Sequence, residues 1–245
     1  DLHIAEIVPE RLEEVKALTN PVSATTDYKE LLQNNDIDAY FISATPEDIH
    51  YPIAKDCILS GKHVFLEKPL SLTLAEADEL VELAEKNDVK FTIGYSQRFN
   101  PKFAYVKKSL NDGTLVKPVA AVVSRHITRG LGTKIGGRIK LSPAAMEATH
   151  DLDFLLWCLQ PRKPVRVYSQ QAGKLFSQKS DTPDHQWVMV TMDDGTTITI
   201  GIGWILPAGY PNFVQAWIEV IGTDGALTID DTHKEVQFNT VKDGI

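Results

Sequence analysis

Residues 37–69 read IDAYFISATPEDIHYPIAKDCILSGKHVFLEKP, and the order of patterns within them decides the fold. Residues 37–44 form an apolar, β-favouring run of the kind that makes a buried strand. A helical segment follows, with Ile53, Ala54, Cys57 and Ile58 on one face and Gly61 as its C-terminal stop. Residues 63–66 are apolar again. Strand, helix and strand at this spacing make a right-handed βαβ unit on a parallel sheet. Upstream, residues 2–8 predict a short strand and 9–18 a helix opened by Pro9, and Asp27 caps a helix running to Leu32. Downstream, Thr73 and Glu76 form a capping box ahead of a helix with Leu74, Ala77, Leu80, Val81 and Ala84 at helical spacing. Residues 91–94 predict one more strand.

The remainder of the chain follows a different period. Segments near 118–127, 164–172, 185–193, 196–204, 214–222, 226–230 and 235–240 alternate apolar and polar residues. Asp194-Gly195 and Asp224-Gly225 lie between two pairs of them as hairpin turns. One helix at about 143–159 interrupts what reads as an antiparallel meander. The predicted architecture is therefore α/β: a Rossmann-type parallel sheet over residues 1–96, then an α+β domain with a large, mainly antiparallel sheet over 97–245.

The 245 residues carry 25 Lys+Arg against 33 Asp+Glu, a formal net charge of −8. With 43% apolar and 24% charged residues the composition excludes disordered, collagen-like and fibrous classes. The acidic balance, with no basic stripe, argues against a nucleic-acid or anionic-membrane partner. No apolar run approaches the roughly 18 residues of a membrane span. The chain opens Asp-Leu-His-Ile, unlike a signal peptide, so a soluble cytoplasmic protein is expected. Cys57 and Cys158, far apart on apolar helix faces, read as reduced core thiols.

Three clusters carry candidate chemistry. Thr45, Pro46 and His50 follow the strand at 37–44, and strand ends of a parallel sheet are ligand positions. The alternative is that Pro46 only turns the chain while Asp48 caps the helix. Glu67-Lys68-Pro69 follows the next strand, and Pro69 keeps Lys68 out of helical geometry. A lysine there, beside a carboxylate, suits proton transfer if it is desolvated. On the helix at 143–159, Met146, His150, Asp153 and Trp157 lie opposite the Leu152, Leu155, Leu156 and Leu159 face. His150 on a semi-apolar face suits general acid–base work, or it is a core histidine satisfied by Asp153.

Some signals are missing. The first glycine is Gly61, so no glycine-rich turn precedes it to reach a pyrophosphate. Either no dinucleotide binds, or the first strand–turn–helix lies outside this sequence. Glu6 is the only nearby candidate for a ribose-binding acid. Gly130-Leu131-Gly132 with Gly136-Gly137 has the wrong spacing for the fingerprint and reads as a mobile loop. No set of three metal ligands, P-loop or Gly-x-Ser-x-Gly elbow occurs.

The order of these motifs resembles the glucose–fructose oxidoreductase, inositol dehydrogenase and rhizopine-catabolism (Gfo/Idh/MocA) family of NAD(P)-dependent oxidoreductases. The matching stretches are residues 38–46 with His50, residues 61–70, residues 94–99 (Gly-Tyr-Ser-Gln-Arg-Phe) and His150-Asp151-Leu152-Asp153. The resemblance implies a dinucleotide-binding domain at 1–96 and a substrate-binding, oligomer-building domain at 97–245, with further chain at both ends. It implies NAD or NADP as cofactor and hydride transfer to or from a hydroxyl carbon of a sugar, sugar derivative or cyclitol. By the same resemblance Lys68 and His150 are catalytic, with Lys68 bridging cofactor and substrate and His150 taking the hydroxyl proton. Thr45, Pro46, His50, Glu67 and Gln97 also line the cofactor, Arg98, Glu147 and Asp153 meet the substrate, and a homodimer or homotetramer is expected. Met146 stands where many members have an aspartate. Glu147 replaces that aspartate only if the helix start is distorted. The alternative function is a non-catalytic relative, a sugar or cofactor sensor or an assembly module.

Overall fold

A computed structural model describes residues 1–136, 139–175, 182–210, 212–230 and 235–240. The chain divides into two compact units, Asp1–Gly94 and Tyr95–Ile245.

In the first unit, β1 (His3–Ala5) pairs in parallel with β2 (Ser23–Thr25), and α1 (Pro9–Thr19) connects them. Neither strand exceeds three residues, too short for alternation to mark β2 in the sequence. Asp27 caps α2 (Tyr28–Leu32), accepting from the Lys29 backbone N–H at 2.9 Å. A second sheet holds β3 (Ala39–Ile42), β4 (His63–Leu66) and β5 (Phe91–Ile93), all parallel and in that order. Between them run α3 (His50–Leu59) and α4 (Leu74–Lys86). β3 is shorter than the apolar run 37–44 because its pairing with β4 ends at Ile42↔Leu66 and the Ala44 carbonyl turns to His50.

The core of this unit joins Ile42, Ala54, Cys57, Ile58, Val64, Leu66, Leu80 and Ala84. The Thr73–Glu76 capping box forms as its sequence predicts. Leu80 and Ala84, four residues apart, face the core, whereas Leu74 and Val81 are exposed. Val81 lies 100° around the helix from Leu80, outside the narrow stripe that the sheet covers.

The second unit is built on one seven-stranded sheet. Its helices are α5 (Pro101–Asn111), α6 (Arg129–Gly136) and α7 (Thr149–Leu159). Its strands are β6 (Pro118–Thr128), β7 (Pro164–Ala172), β8 (His185–Met192), β9 (Thr197–Leu206), β10 (Val214–Gly222), β11 (Gly225–Asp230) and β12 (Glu235–Thr240). The order is β12-β11-β10-β6-β9-β8-β7. The sheet is not a simple meander: β6, the earliest strand, inserts between β10 and β9 and runs parallel to β9. Gly195, at φ +89°, makes the β8–β9 turn beside Asp194, as the sequence predicts.

α5 and α7 cover one face of this sheet around Phe103 and Phe154, whose rings meet edge to face at 4.7 Å. α5 escaped the sequence reading because only Phe103 and Val106 of its apolar residues are fully buried. Residues 129–136, read as part of a mobile loop, form a helix. Leu131 and Ile135 anchor it against Met146 and Trp204, which offsets three helical glycines. Gly137 lies outside the described residues. Cys57 and Cys158 are buried free thiols, and desolvation pushes both up to about 12. Among the described residues no helix is long and apolar enough to cross a membrane.

Candidate functional site

Each unit gathers a set of the candidate side chains. In the first, they lie where the parallel strands end. The Glu67 N–H donates to the Ile42 carbonyl at 2.9 Å and the Gly94 N–H to the Leu66 carbonyl at 2.8 Å, so the ladder runs into the turns. Thr45 is exposed on the turn after β3, with Pro46 half-buried beside it, and Glu67 and Lys68 are half-buried after β4. The Lys68 backbone N–H donates to Glu67 Oε2 at 3.3 Å. A Cβ at residue 94 would sit 3.1 Å from the Glu67 carboxyl, so the absence of a side chain at Gly94 lets that carboxyl lie over the end of β5. Thr45–Pro46 and Lys68–Pro69 are both cis.

His50 departs from the role that the resemblance implies. Its side chain is 1% exposed, with Nδ1 2.8 Å from the Pro69 carbonyl and Nε2 2.9 Å from the Ala44 carbonyl. Both ring nitrogens are engaged by backbone, so the imidazole does not line a cofactor surface. Glu6 accepts from the Val8 N–H at 2.9 Å through Oε1, which fixes the entry to α1.

A nicotinamide nucleotide suits what the first unit presents. A hydroxyl, a carboxylate and an ammonium, from Thr45, Glu67 and Lys68, stand at strand ends beside a residue with no side chain. Ribose hydroxyls donate to a carboxylate, and the carboxyl edge of a parallel sheet is where such ligands sit.

In the second unit, α7 follows directly on a π-helical turn, Ala144–Ala148, and carries His150 as its second residue. The wider i→i+5 turn rotates the preceding residues relative to a regular helix. The helix start is thus distorted, the condition for Glu147 to stand in for the family aspartate, and Glu147 is half-buried on that turn. Met146 is 5% exposed and packs with Ile127, Ile135 and Trp204.

The residues after β5 fold back onto α7. Tyr95 Oη and Thr149 Oγ1 are 3.0 Å apart, and the Tyr95 ring meets the His150 ring edge-on at 6.4 Å. With its amide oriented to satisfy both ends, Gln97 donates to the His150 carbonyl at 2.8 Å and accepts from Arg125 Nη2 at 2.9 Å. Arg125 in turn forks onto Asp151, with Nε–Oδ2 and Nη2–Oδ1 both at 2.7 Å. Asp151 is fully buried. Gln97, expected along the cofactor, therefore ties the His150 backbone to a buried ion pair.

Arg98 forks onto Asp153 in the same way, at 2.8 and 2.5 Å, and its guanidinium lies 5.7 Å from the Trp157 ring centroid. Hydrogen bonding to Asp153 holds the Arg98 guanidinium above its ordinary range. Two of the three residues assigned to substrate by resemblance, Arg98 and Asp153, thus satisfy each other, and both Asp153 oxygens are taken by Arg98. Sequence reasoning missed Tyr95, Arg125, Thr149 and the role of Asp151. One signal was available: Arg125 shares the inward face of β6 with Ala121, Val123 and Ile127, where a charge demands a partner.

Residues 1–95 match the family model described as "Oxidoreductase family, NAD-binding Rossmann fold", and residues 103–228 match "GFO/IDH/MocA C-terminal domain". The chain is 34% identical over 123 residues to the myo-inositol 2-dehydrogenase of Thermotoga maritima, covering 50% of this chain and 36% of that one. A solved scyllo-inositol dehydrogenase of Lactobacillus casei, with bound NAD(H) and scyllo-inositol, superposes with a TM-score of 0.82 at 21% identity, covering 94% of this chain and 68% of that one. The WlbA dehydrogenase of Bordetella pertussis, in complex with NADH and UDP-GlcNAcA, gives 0.86 at 19% identity, covering 98% and 69%. At such identities these two likenesses establish the fold alone. The chain spans less than two thirds of the length of the curated relatives it matches.

Proposed function

Because this chain belongs to the GFO/IDH/MocA family of oxidoreductases, we propose that its protein is a dehydrogenase acting on a hydroxyl carbon of a cyclitol, sugar or sugar derivative, with NAD or NADP as cofactor. The observation that carries this reading is the fixed setting of His150. It lies in the first turn of a helix whose start is pinned by Gln97 and the Arg125–Asp151 pair, as a proton-transfer group requires. The names of inositol dehydrogenases among the relatives favour a polyhydroxylated ring as substrate.

The bound nicotinamide supplies the hydride acceptor or donor. The chain's own groups do the rest. Thr45 and Glu67 bind and orient the nucleotide through hydroxyl and carboxylate. The Lys68 ammonium holds the substrate oxygen and stabilises the negative charge that develops there as hydride leaves carbon. An imidazole nitrogen of His150 accepts the hydroxyl proton, and returns it when the reaction runs toward reduction. Glu147 and Arg98 orient further substrate hydroxyls. The large sheet of the second unit, with half-exposed Trp187 and Met189 on one face, supports a homodimer or homotetramer.

The test is calorimetric titration of the full-length protein with NAD⁺, NADH, NADP⁺ and NADPH, followed by a turnover screen of inositols and aldoses. One nucleotide pair is expected to bind, and Lys68→Ala is expected to lower kcat/KM by about 10²–10⁴-fold. Absence of binding to all four nucleotides overturns the reading and leaves the sensor or assembly role.

A further inference from the structure

We propose that Gln186 is a positioning residue: from β8 of the large sheet it holds the π-helical turn Ala144–Ala148, and through that turn the setting of Glu147 and His150. The proposal rests on the reading of His150 as the proton-transfer group and concerns a residue that no relative's name assigns.

Residues 186, 188, 190 and 192 fall on one face of β8, because side chains alternate along a strand. Val188, Val190 and Met192 of that row join the core that α5 and α7 cover, and Gln186 is its one polar member. A half-buried amide at the end of an apolar row needs a polar partner. Gln186 Oε1 accepts from the Ala144 backbone N–H at 2.9 Å. The first N–H groups of a helix have no acceptor within it. Ser142 serves the next two locally, its Oγ accepting from the Ala145 N–H at 3.2 Å and its carbonyl from the Met146 N–H at 3.0 Å. The Ala144 N–H depends instead on a side chain 42 residues away. Two residues on, Met146 packs with Trp204 of β9, the strand next to β8. The sheet therefore grips the turn at both points. Wide i→i+5 turns are rare. Released from Gln186, this one is free to relax to a regular turn, which changes the register of residues 144–148 against His150. α7 continues the turn without a break, so what fixes the turn also fixes the helix start on which His150 stands.

Hydrogen exchange and kinetics on the full-length protein test this. With exchange resolved to single amides, the Ala144 N–H is expected to be protected in wild type. Free exchange there overturns the proposal, whatever the protein's activity. Gln186→Leu keeps the bulk and removes the acceptor. In it, exchange over residues 144–148 is expected to rise about tenfold, as for the loss of one hydrogen bond. Its kcat/KM, counted per molecule that binds nucleotide, is expected to fall about 100-fold, the effect of a displacement near 1 Å. Gln186→Glu keeps an oxygen acceptor and is expected to restore both readings to near wild type. A merely structural role would lower the folded fraction while leaving the exchange and the kcat/KM of the remaining molecules unchanged, which overturns the proposal. If wild type turns over no polyol or sugar while Gln186→Leu still speeds the exchange, the dehydrogenase reading fails and the hold on the turn stands. If Gln186→Leu does not fold, the wild-type protection of Ala144 decides.

Discussion

At the residue scale, the half-site proposed in the first unit depends on what is absent at position 94 as much as on Glu67 and Lys68. A methyl group there would stand 3.1 Å from the Glu67 carboxyl, whose flexible end would have to move. Gly94→Ala is therefore expected to weaken nicotinamide-nucleotide binding while leaving the thermal midpoint nearly unchanged, read by titration and calorimetry on the same sample. The two cysteines show the opposite situation, groups silenced by their surroundings. Burial raises both thiols to about 12, so almost none is thiolate near pH 8. An aromatic disulfide reagent at that pH is expected to leave both Cys57 and Cys158 unmodified in the native protein and to label both after unfolding.

At the scale of elements, the start of α7 is where packing overrides helical regularity. The π-helical turn Ala144–Ala148 buries Met146 and Ala148 and delivers Thr149, His150 and Asp151 to three different partners. The Arg125–Asp151 pair holds that arrangement from β6. Asp151 is fully buried and the Arg125 side chain is only 12% exposed, so removing one member leaves the other charge without compensation, at a cost of about 3–5 kcal/mol. Asp151→Asn is expected to lower stability by that order in a urea titration. Asp153→Asn, at the more exposed Arg98 pair, is expected to cost less, about 1 kcal/mol or below. Equal losses at the two sites would show that burial is not what makes the inner pair matter.

At the scale of the whole molecule, stability on the acid side is tied to a pair of histidines on the large sheet. His126 Nε2 and His185 Nε2 are 3.1 Å apart on β6 and β8, across the intervening β9. Burial, and then the neighbouring His126, lower the His185 imidazole below its ordinary 6.5. The unfolded chain therefore takes up this proton at a higher pH than the folded one. The contribution of His185 is fully present above about pH 6.5 and is lost as the pH falls through the lowered native value. The thermal midpoint is expected to drop between pH 7 and 5, with a shallower slope in His185→Gln. An unchanged slope would assign the loss to other groups.

How much of this was legible in the sequence follows the range of the interactions involved. Local patterns determined the alternation of strand and helix up to residue 94, the Thr73–Glu76 cap, the Asp194-Gly195 turn and the stretches that carry Lys68 and His150. Periodicity, capping and turn chemistry act over a few neighbouring residues, so one sequence displays them. Tertiary structure alone decided that β6 enters the middle of the large sheet, that glycine-rich residues 129–136 are helical, and that Val81 faces out. It alone turned His50 inward to two carbonyls and set Arg125 against Asp151, partners 26 residues apart. Those outcomes depend on which distant surface covers each side chain and on the need of every buried charge or donor for a partner, which local patterns do not encode.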